Sequence, residues 1–185
     1  LLRILAGLQS ADAGLVTLAG ADRPLDRRRL VGFVGHQLPL TAALTVEENL
    51  RVRQRLSSAN DEAWETILTR YELFDLQQRL VRTLSRGQAQ RVALAASEFG
   101  DPPYWLLDEP FTGLDAAHAD RLRARLQDLS SNGSRTVLLT THDVALIADI
   151  VPRLWVLTAG KAFVVPEDRR SVRELDALLR GLSRA

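Results

Sequence analysis

A chain of 185 residues that is 46% apolar and 25% charged has the make-up of one ordinary globular domain, which excludes a disordered or fibrous protein. Its formal net charge of +1, with basic residues scattered among acids, supplies no long-range field for a polyanion, so no nucleic-acid partner is expected. The absence of cysteine excludes disulfides and thiolate chemistry, and no apolar run approaches the roughly 20 residues that span a bilayer, so membrane contact is expected only through a partner.

In chain order, Leu1, Leu2, Ile4, Leu5 and Leu8 repeat at helical spacing up to the turn-forming stretch Gln9 to Gly14. This helix is already in register at Leu1 and the chain holds no methionine, so the sequence is expected to be N-terminally incomplete. Leu15 to Leu18 reads as a short strand. Leu30 to Val34 reads as another, delivering Gly35, His36 and Gln37 at its end. Thr45 with Glu48 forms a capping-box pattern for a helix through Leu56, a second helix is expected from about Asp61 to Tyr71, and a third begins at Ser85. Tyr104 to Leu107 and Val137 to Thr140 are short apolar runs, the pattern of parallel strands covered on both faces, with a helix from about Ala116 to Leu129 between them. A hairpin, Leu154 to Leu157 and Ala162 to Val165, precedes a C-terminal helix ending near Leu182.

Three of these strands end in polar residues: Gln37, then Asp108 and Glu109, then His142. In open parallel sheets the carboxyl ends of strands line the ligand crevice. Adjacent carboxylates there repel each other and lose hydration unless a cation or a proton-transfer task occupies them, and a Mg-nucleotide supplies such a cation. Pro110 stops the strand ladder and stiffens the exit. Ser85-Arg86-Gly87-Gln88 reads in two ways. It can be a plain capping box, or an anion site at a helix N-terminus, where Gly87, costing about 1 kcal/mol of helix stability against Ala, marks a close approach to the backbone. Thr141-His142-Asp143 can be a helix cap with a surface histidine. Nowhere in the sequence is there a G-x-x-x-x-G-K-[ST] loop to cradle β- and γ-phosphates.

Together these motifs are identified with a family. Leu84-Ser85-Arg86-Gly87-Gln88 resembles the signature of ABC-type ATPases, Leu106-Leu107-Asp108-Glu109-Pro110 the Walker B segment, Thr112-Gly113-Leu114-Asp115 the D-loop, His142 the switch histidine and Gln37 the Q-loop glutamine. The resemblance implies an α/β fold with a P-loop NTPase-type parallel-sheet core and a small helical subdomain at about 38–100. The rest of the core, with the hairpin and last helix, would occupy about 101–185, the first strands and the phosphate loop being absent. A gap in the sheet beside the Asp108 strand is therefore expected. The resemblance also implies ATP and Mg²⁺ as ligands. Asp108 would hold the metal, Gln37 would contact the metal or the attacking water, and Glu109 would orient or deprotonate that water. His142 would sense the γ-phosphate. Ser85, Arg86, Gly87 and Gln88 would act in trans on ATP bound to a second ATPase subunit in a head-to-tail dimer, and Asp115 would lie at the dimer seam or cap the next helix. Arg86 departs from the glycine common at its position.

The implied setting is the cytoplasmic face of a membrane, where the subunit works with a transmembrane permease and hydrolyses ATP to drive transport. Gly35-His36-Gln37 with Leu44 to Leu50 resembles the ATPases of haem exporters in cytochrome c biogenesis, which makes haem export the expected transport; drug-exporter ATPases look similar there. His36 is not expected to bind haem, and His118 is expected at the surface. A soluble ABC ATPase and a non-catalytic piece are the alternatives, and the 185 residues by themselves are expected to bind ATP poorly and not to turn it over.

Overall fold

The computed structural model describes residues 1–57, 59, 61–133 and 135–166. At its centre is a three-stranded parallel sheet in the order β1-β2-β3, formed by Val31–Val34, Tyr104–Asp108 and Thr136–Thr140. The register runs from Val31 beside Tyr104 to Val34 beside Leu107, and from Tyr104 beside Thr136 to Asp108 beside Thr140. All three strands therefore finish at one edge.

The near-continuous apolar run of β2 has its physical reason in two coverings. Alternate residues Trp105 and Leu107 enter the main core, while Leu106 packs with Leu2, Ala6 and Val31 beneath helix α1 (Leu2–Leu5). Against the main-core face lies α5 (Arg86–Glu98), so close that a Cβ on Gly32 would stand 2.3 Å from the Ser97 carbonyl oxygen. The buried indole of Trp105 donates to Ser97 Oγ at 2.7 Å, which satisfies both groups. Between β1 and β2 the chain also forms α3 (Val46–Ser57) and α4 (Asp61–Tyr71), whose Leu50, Ile67 and Leu68 join that core. The capping box of α3 is present in both directions, Thr45 N–H to Glu48 Oε2 at 2.7 Å and Glu48 N–H to Thr45 Oγ1 at 3.1 Å. Helix α6 (Ala116–Asn132) ends on Gly133 in the left-handed conformation, and β4 (Leu154–Thr158) pairs antiparallel with β5 (Lys161–Val165) around Ala159 and Gly160, both at positive φ.

Four expectations are corrected. Leu15 to Leu18 is not a strand: only Leu18 and Ala21 exchange backbone hydrogen bonds, and the Val16 carbonyl accepts from the buried Arg27 guanidinium at 2.9 Å instead of from a neighbouring strand. Arg27 belongs to a helix that the apolar pattern does not reveal, α2 (Pro24–Leu30), opened by a proline whose fixed φ suits a first helical turn. The first helix stops at Leu5 rather than Leu8, because Gly7 turns at φ +73 where a Cβ would meet the Pro24 carbonyl at 2.5 Å. The strand β3 is only half covered, with Leu138 40% exposed. Nor is there a gap beside the Asp108 strand: β2 is central and paired on both sides, so among the described residues the open edges belong to β1 and β3. The C-terminal helix expected to end near Leu182 lies outside the described residues.

Candidate active site

The shared edge of the sheet collects the acidic and hydroxyl groups. Asp108 closes β2, and its Oδ1 accepts the Thr140 hydroxyl at 2.6 Å from the last residue of β3. Glu109 leaves the strand at φ +51, a left-handed conformation that is uncommon outside glycine. A strained backbone of this kind costs on the order of 1–3 kcal/mol and persists only where neighbours hold it. Here Glu109 N–H donates to the Thr140 carbonyl at 3.0 Å, and the following Pro110 is fully buried, its carbonyl accepting from the buried Gln90 Nε2 at 3.0 Å.

Beyond β3, His142 brings its Nδ1 to 2.9 Å from Glu109 Oε1. Its side chain is open to solvent while the carboxylate is half sheltered, and the hydrogen bond to Glu109, reinforced by that negative charge, raises the imidazole pKa above its ordinary value. Asp143 caps the short turn that follows, accepting from Ala145 N–H at 3.2 Å. Gln37 and His36 emerge exposed just past β1, at the same end as Asp108. The loop after them is tied down by Asn49, which exchanges hydrogen bonds with the Thr41 backbone at 2.7 and 3.1 Å.

A second group surrounds the start of α5. Ser85 and Gln88 form a complete capping box, Gln88 N–H to Ser85 Oγ at 3.2 Å and Ser85 N–H to Gln88 Oε1 at 3.0 Å, so the plain reading of that motif is realised. Gly87 does mark a close backbone approach. The neighbour is the Gly113 carbonyl, 2.3 Å from where a Cβ on Gly87 would stand, and Gly113 itself, at φ +83, lies under the Arg86 side chain. Asp115 caps α6 by accepting from His118 N–H at 3.0 Å, the largest of the influences that lower its pKa. His118 is not the surface residue expected. Its side chain is 19% exposed and lies between Asp115, 2.7 Å from Nδ1, and Glu72, 3.3 Å from Nε2.

The structure thus joins Asp108, Glu109 and His142 through Thr140, and joins the Ser85–Gln88 turn to the Thr112–Asp115 loop through Gly87 and Gly113. A backbone hydrogen bond links the two groups, Thr112 N–H donating to the Glu109 carbonyl at 3.1 Å. Sequence reasoning missed Thr140, Gln90, Glu72 and His118. Of these only Thr140, a hydroxyl closing an apolar strand, left a readable signal. No set of three His, Asp or Glu side chains able to hold a metal occurs among the described residues. A single strand-end carboxylate beside a hydroxyl fits Mg²⁺ in its usual nucleotide-site role, where phosphate oxygens and waters complete the shell.

The protein-family model described as ABC transporter matches residues 1–112, more than half of the chain and including the signature turn, Asp108 and Glu109. The chain belongs to the ABC transporter family. Among its relatives, the sulfate/thiosulfate import ATP-binding protein CysA of Mycobacterium tuberculosis is 38% identical over 167 residues, 87% of this chain and 48% of that protein. The CysA protein of Nocardia farcinica is 36% identical over 176 residues, 91% of this chain and 53% of that one. The chain spans about half the length of these relatives. The ABC fold is also seen in solved structures. An ATP-binding subunit of an ABC transporter superposes with a TM-score of 0.84 at 23% identity, covering 98% of this chain and 81% of that one. The ATP-binding cassette MJ0796, dimeric in a post-hydrolysis state with ADP and Pi, gives 0.79 at 23% identity, covering 89% and 79%.

Proposed function

We propose that this protein is the ATP-binding and ATP-hydrolysing subunit of an ABC transporter. The observation that carries the reading is the Glu109 carboxylate, held at a strained turn after Asp108 and hydrogen-bonded to His142 at 2.9 Å. A carboxylate so placed can orient or deprotonate a water for attack on a γ-phosphate, and His142, donating to it, can at once fix its orientation and respond to an arriving phosphate. Asp108, with Gln37 exposed just past the neighbouring strand end, would hold Mg²⁺, which when bound neutralises charge on the phosphate oxygens. The 185 residues contain no G-x-x-x-x-G-K-[ST] stretch, so none of them is assigned the phosphate cradle.

Ser85, Arg86, Gly87 and Gln88 are read as acting on ATP bound to a second ATPase subunit, head to tail, with Asp115 at the seam. The dimeric state named for the MJ0796 cassette supports that reading. Residues 38–100 would form the helical subdomain. No helix among the described residues is long and apolar enough to cross a membrane, and we read the protein as a cytoplasmic subunit attached through a transmembrane permease.

For the cargo, two lines diverge. The stretches Gly35 to Gln37 and Leu44 to Leu50 resemble haem-exporter ATPases, whereas the relatives reported above are named for sulfate/thiosulfate import. We favour import, since the second likeness covers 87% of the chain and the first only a few turns of it. Uptake of labelled sulfate by cells with and without the gene separates the two: lost uptake supports import, and unchanged uptake with defective cytochrome c maturation returns the reading to haem export. Phosphate release by the purified protein with its permease, compared with Glu109→Gln, tests hydrolysis itself.

A further inference from the structure

One residue with no part in the chemistry just described occupies a junction of three helices. His118, in the first turn of α6, presents Nδ1 to Asp115 Oδ1 at 2.7 Å and Nε2 to Glu72 Oε2 at 3.3 Å. Glu72 directly follows α4 in a left-handed conformation, φ +50. Its other carboxylate oxygen pairs with Arg121 Nη1, one turn further along α6, and its backbone carbonyl accepts from Arg91 Nη1 of α5 at 3.0 Å, beside the Tyr71 carbonyl at 2.9 Å. The imidazole thus lies between the carboxylates of Asp115, which caps α6, and Glu72, at the end of α4, while Arg121 of α6 pairs with Glu72 and Arg91 of α5 binds the Glu72 carbonyl.

We propose that His118 is a positioning residue that fastens Asp115 to Glu72 and so sets the Thr112–Asp115 loop against the start of α5 during ATP turnover. This rests on the ATPase reading above. The imidazole spans the two carboxylates, hydrogen-bonded to Asp115 through Nδ1 and within ion-pairing distance of Glu72 through Nε2. The consequence reaches the signature turn through backbone contact. Asp115 anchors the end of the loop that contains Gly113, whose carbonyl fills the space where Gly87 would carry a Cβ, and Arg86 lies over Gly113. Loss of the imidazole frees Asp115 from Glu72 but spares the helix cap from the His118 backbone N–H and the loop's own backbone bonds, Thr112 N–H to the Glu109 carbonyl and Leu114 N–H to the Phe111 carbonyl. A purely structural role would therefore leave turnover where it was.

The test is ATP turnover by the whole transporter carrying His118→Ala, Glu72→Gln or both. The bridge predicts that kcat falls roughly 2- to 30-fold, the range of coupling effects from residues that touch no ligand. KM for ATP stays within about twofold, since no residue at the nucleotide is altered. Because both variants act on the same link, the loss in the double variant should be less than the two single losses combined. Unchanged kcat, a change confined to KM, or additive losses would overturn the proposal. Glu72 is a half-exposed acid, so Glu72→Gln keeps the test open if His118→Ala folds badly. A Glu109→Gln control in the same preparation separates the two readings: if it retains turnover the ATPase assignment fails, and if it loses turnover while the His118 and Glu72 variants behave as wild type, only the positioning role fails.

Discussion

At the scale of single residues the chemistry rests on Glu109. If it is the base, Glu109→Gln lowers phosphate release by roughly 10²- to 10⁴-fold, the contribution of a positioned general base, while ATP binding and the ATP-bound dimer persist. The His142 contact carries a sign that can be checked separately. Its imidazole pKa is raised in the folded state by the hydrogen bond to Glu109, so the stability it contributes is present below the unfolded pKa and lost as pH rises through the folded one. An NMR titration of His142 should show its midpoint above that of a free histidine in the wild type and lower in Glu109→Gln. A third residue-level expectation concerns Gly87. A methyl group there meets the Gly113 carbonyl at 2.3 Å, so Gly87→Ala should lower unfolding stability by about 1–3 kcal/mol in a denaturant melt, the usual cost of overpacking. The sequence located this glycine as a place of close approach, and the approaching atom belongs to the protein's own loop.

Among the elements, α3 and α5 begin with the same device, Thr45 with Glu48 and Ser85 with Gln88. Removing either cap hydroxyl costs about 0.5–2 kcal/mol of stability, so Thr45→Ala and Ser85→Ala should shift a denaturant midpoint alike. Only Ser85→Ala should also depress turnover, if its hydroxyl serves ATP bound to the opposing subunit; equal turnover in the two variants would leave Ser85 a cap and nothing more. Asp115 combines similar duties at the head of α6. Its lowered pKa means that the stabilisation it contributes is present above the unfolded carboxyl pKa and disappears as pH falls through the folded value.

Across the whole molecule, the packing of α4, α5 and α6 converges on Glu98, whose side chain is 2% exposed. It accepts from Arg70, from the Tyr71 hydroxyl at 2.6 Å and from Arg125 Nη2 at 3.1 Å. Burial, then the neighbouring carboxylate, push the Tyr71 pKa well above its usual value, so the phenol remains a donor at any physiological pH. Tyr71→Phe deletes one hydrogen bond to a buried charge and should lower stability by about 1.5–3 kcal/mol, measured by thermal or denaturant unfolding, with no change in KM for ATP.

The sequence by itself determined the parallel-strand pattern, the positions of α3, α4, α5 and α6, and the membership that Ser85–Gln88 and Asp108-Glu109-Pro110 announced, because apolar periodicity, reciprocal caps and strand-end acids are local regularities. Only the tertiary structure decided that Leu15 to Leu18 yields to Arg27, that β2 is central, and that His118 joins Glu72 across 46 positions of chain. Those outcomes depend on which distant carbonyl or carboxylate a side chain meets once the helices have packed. No spacing along the chain encodes that meeting.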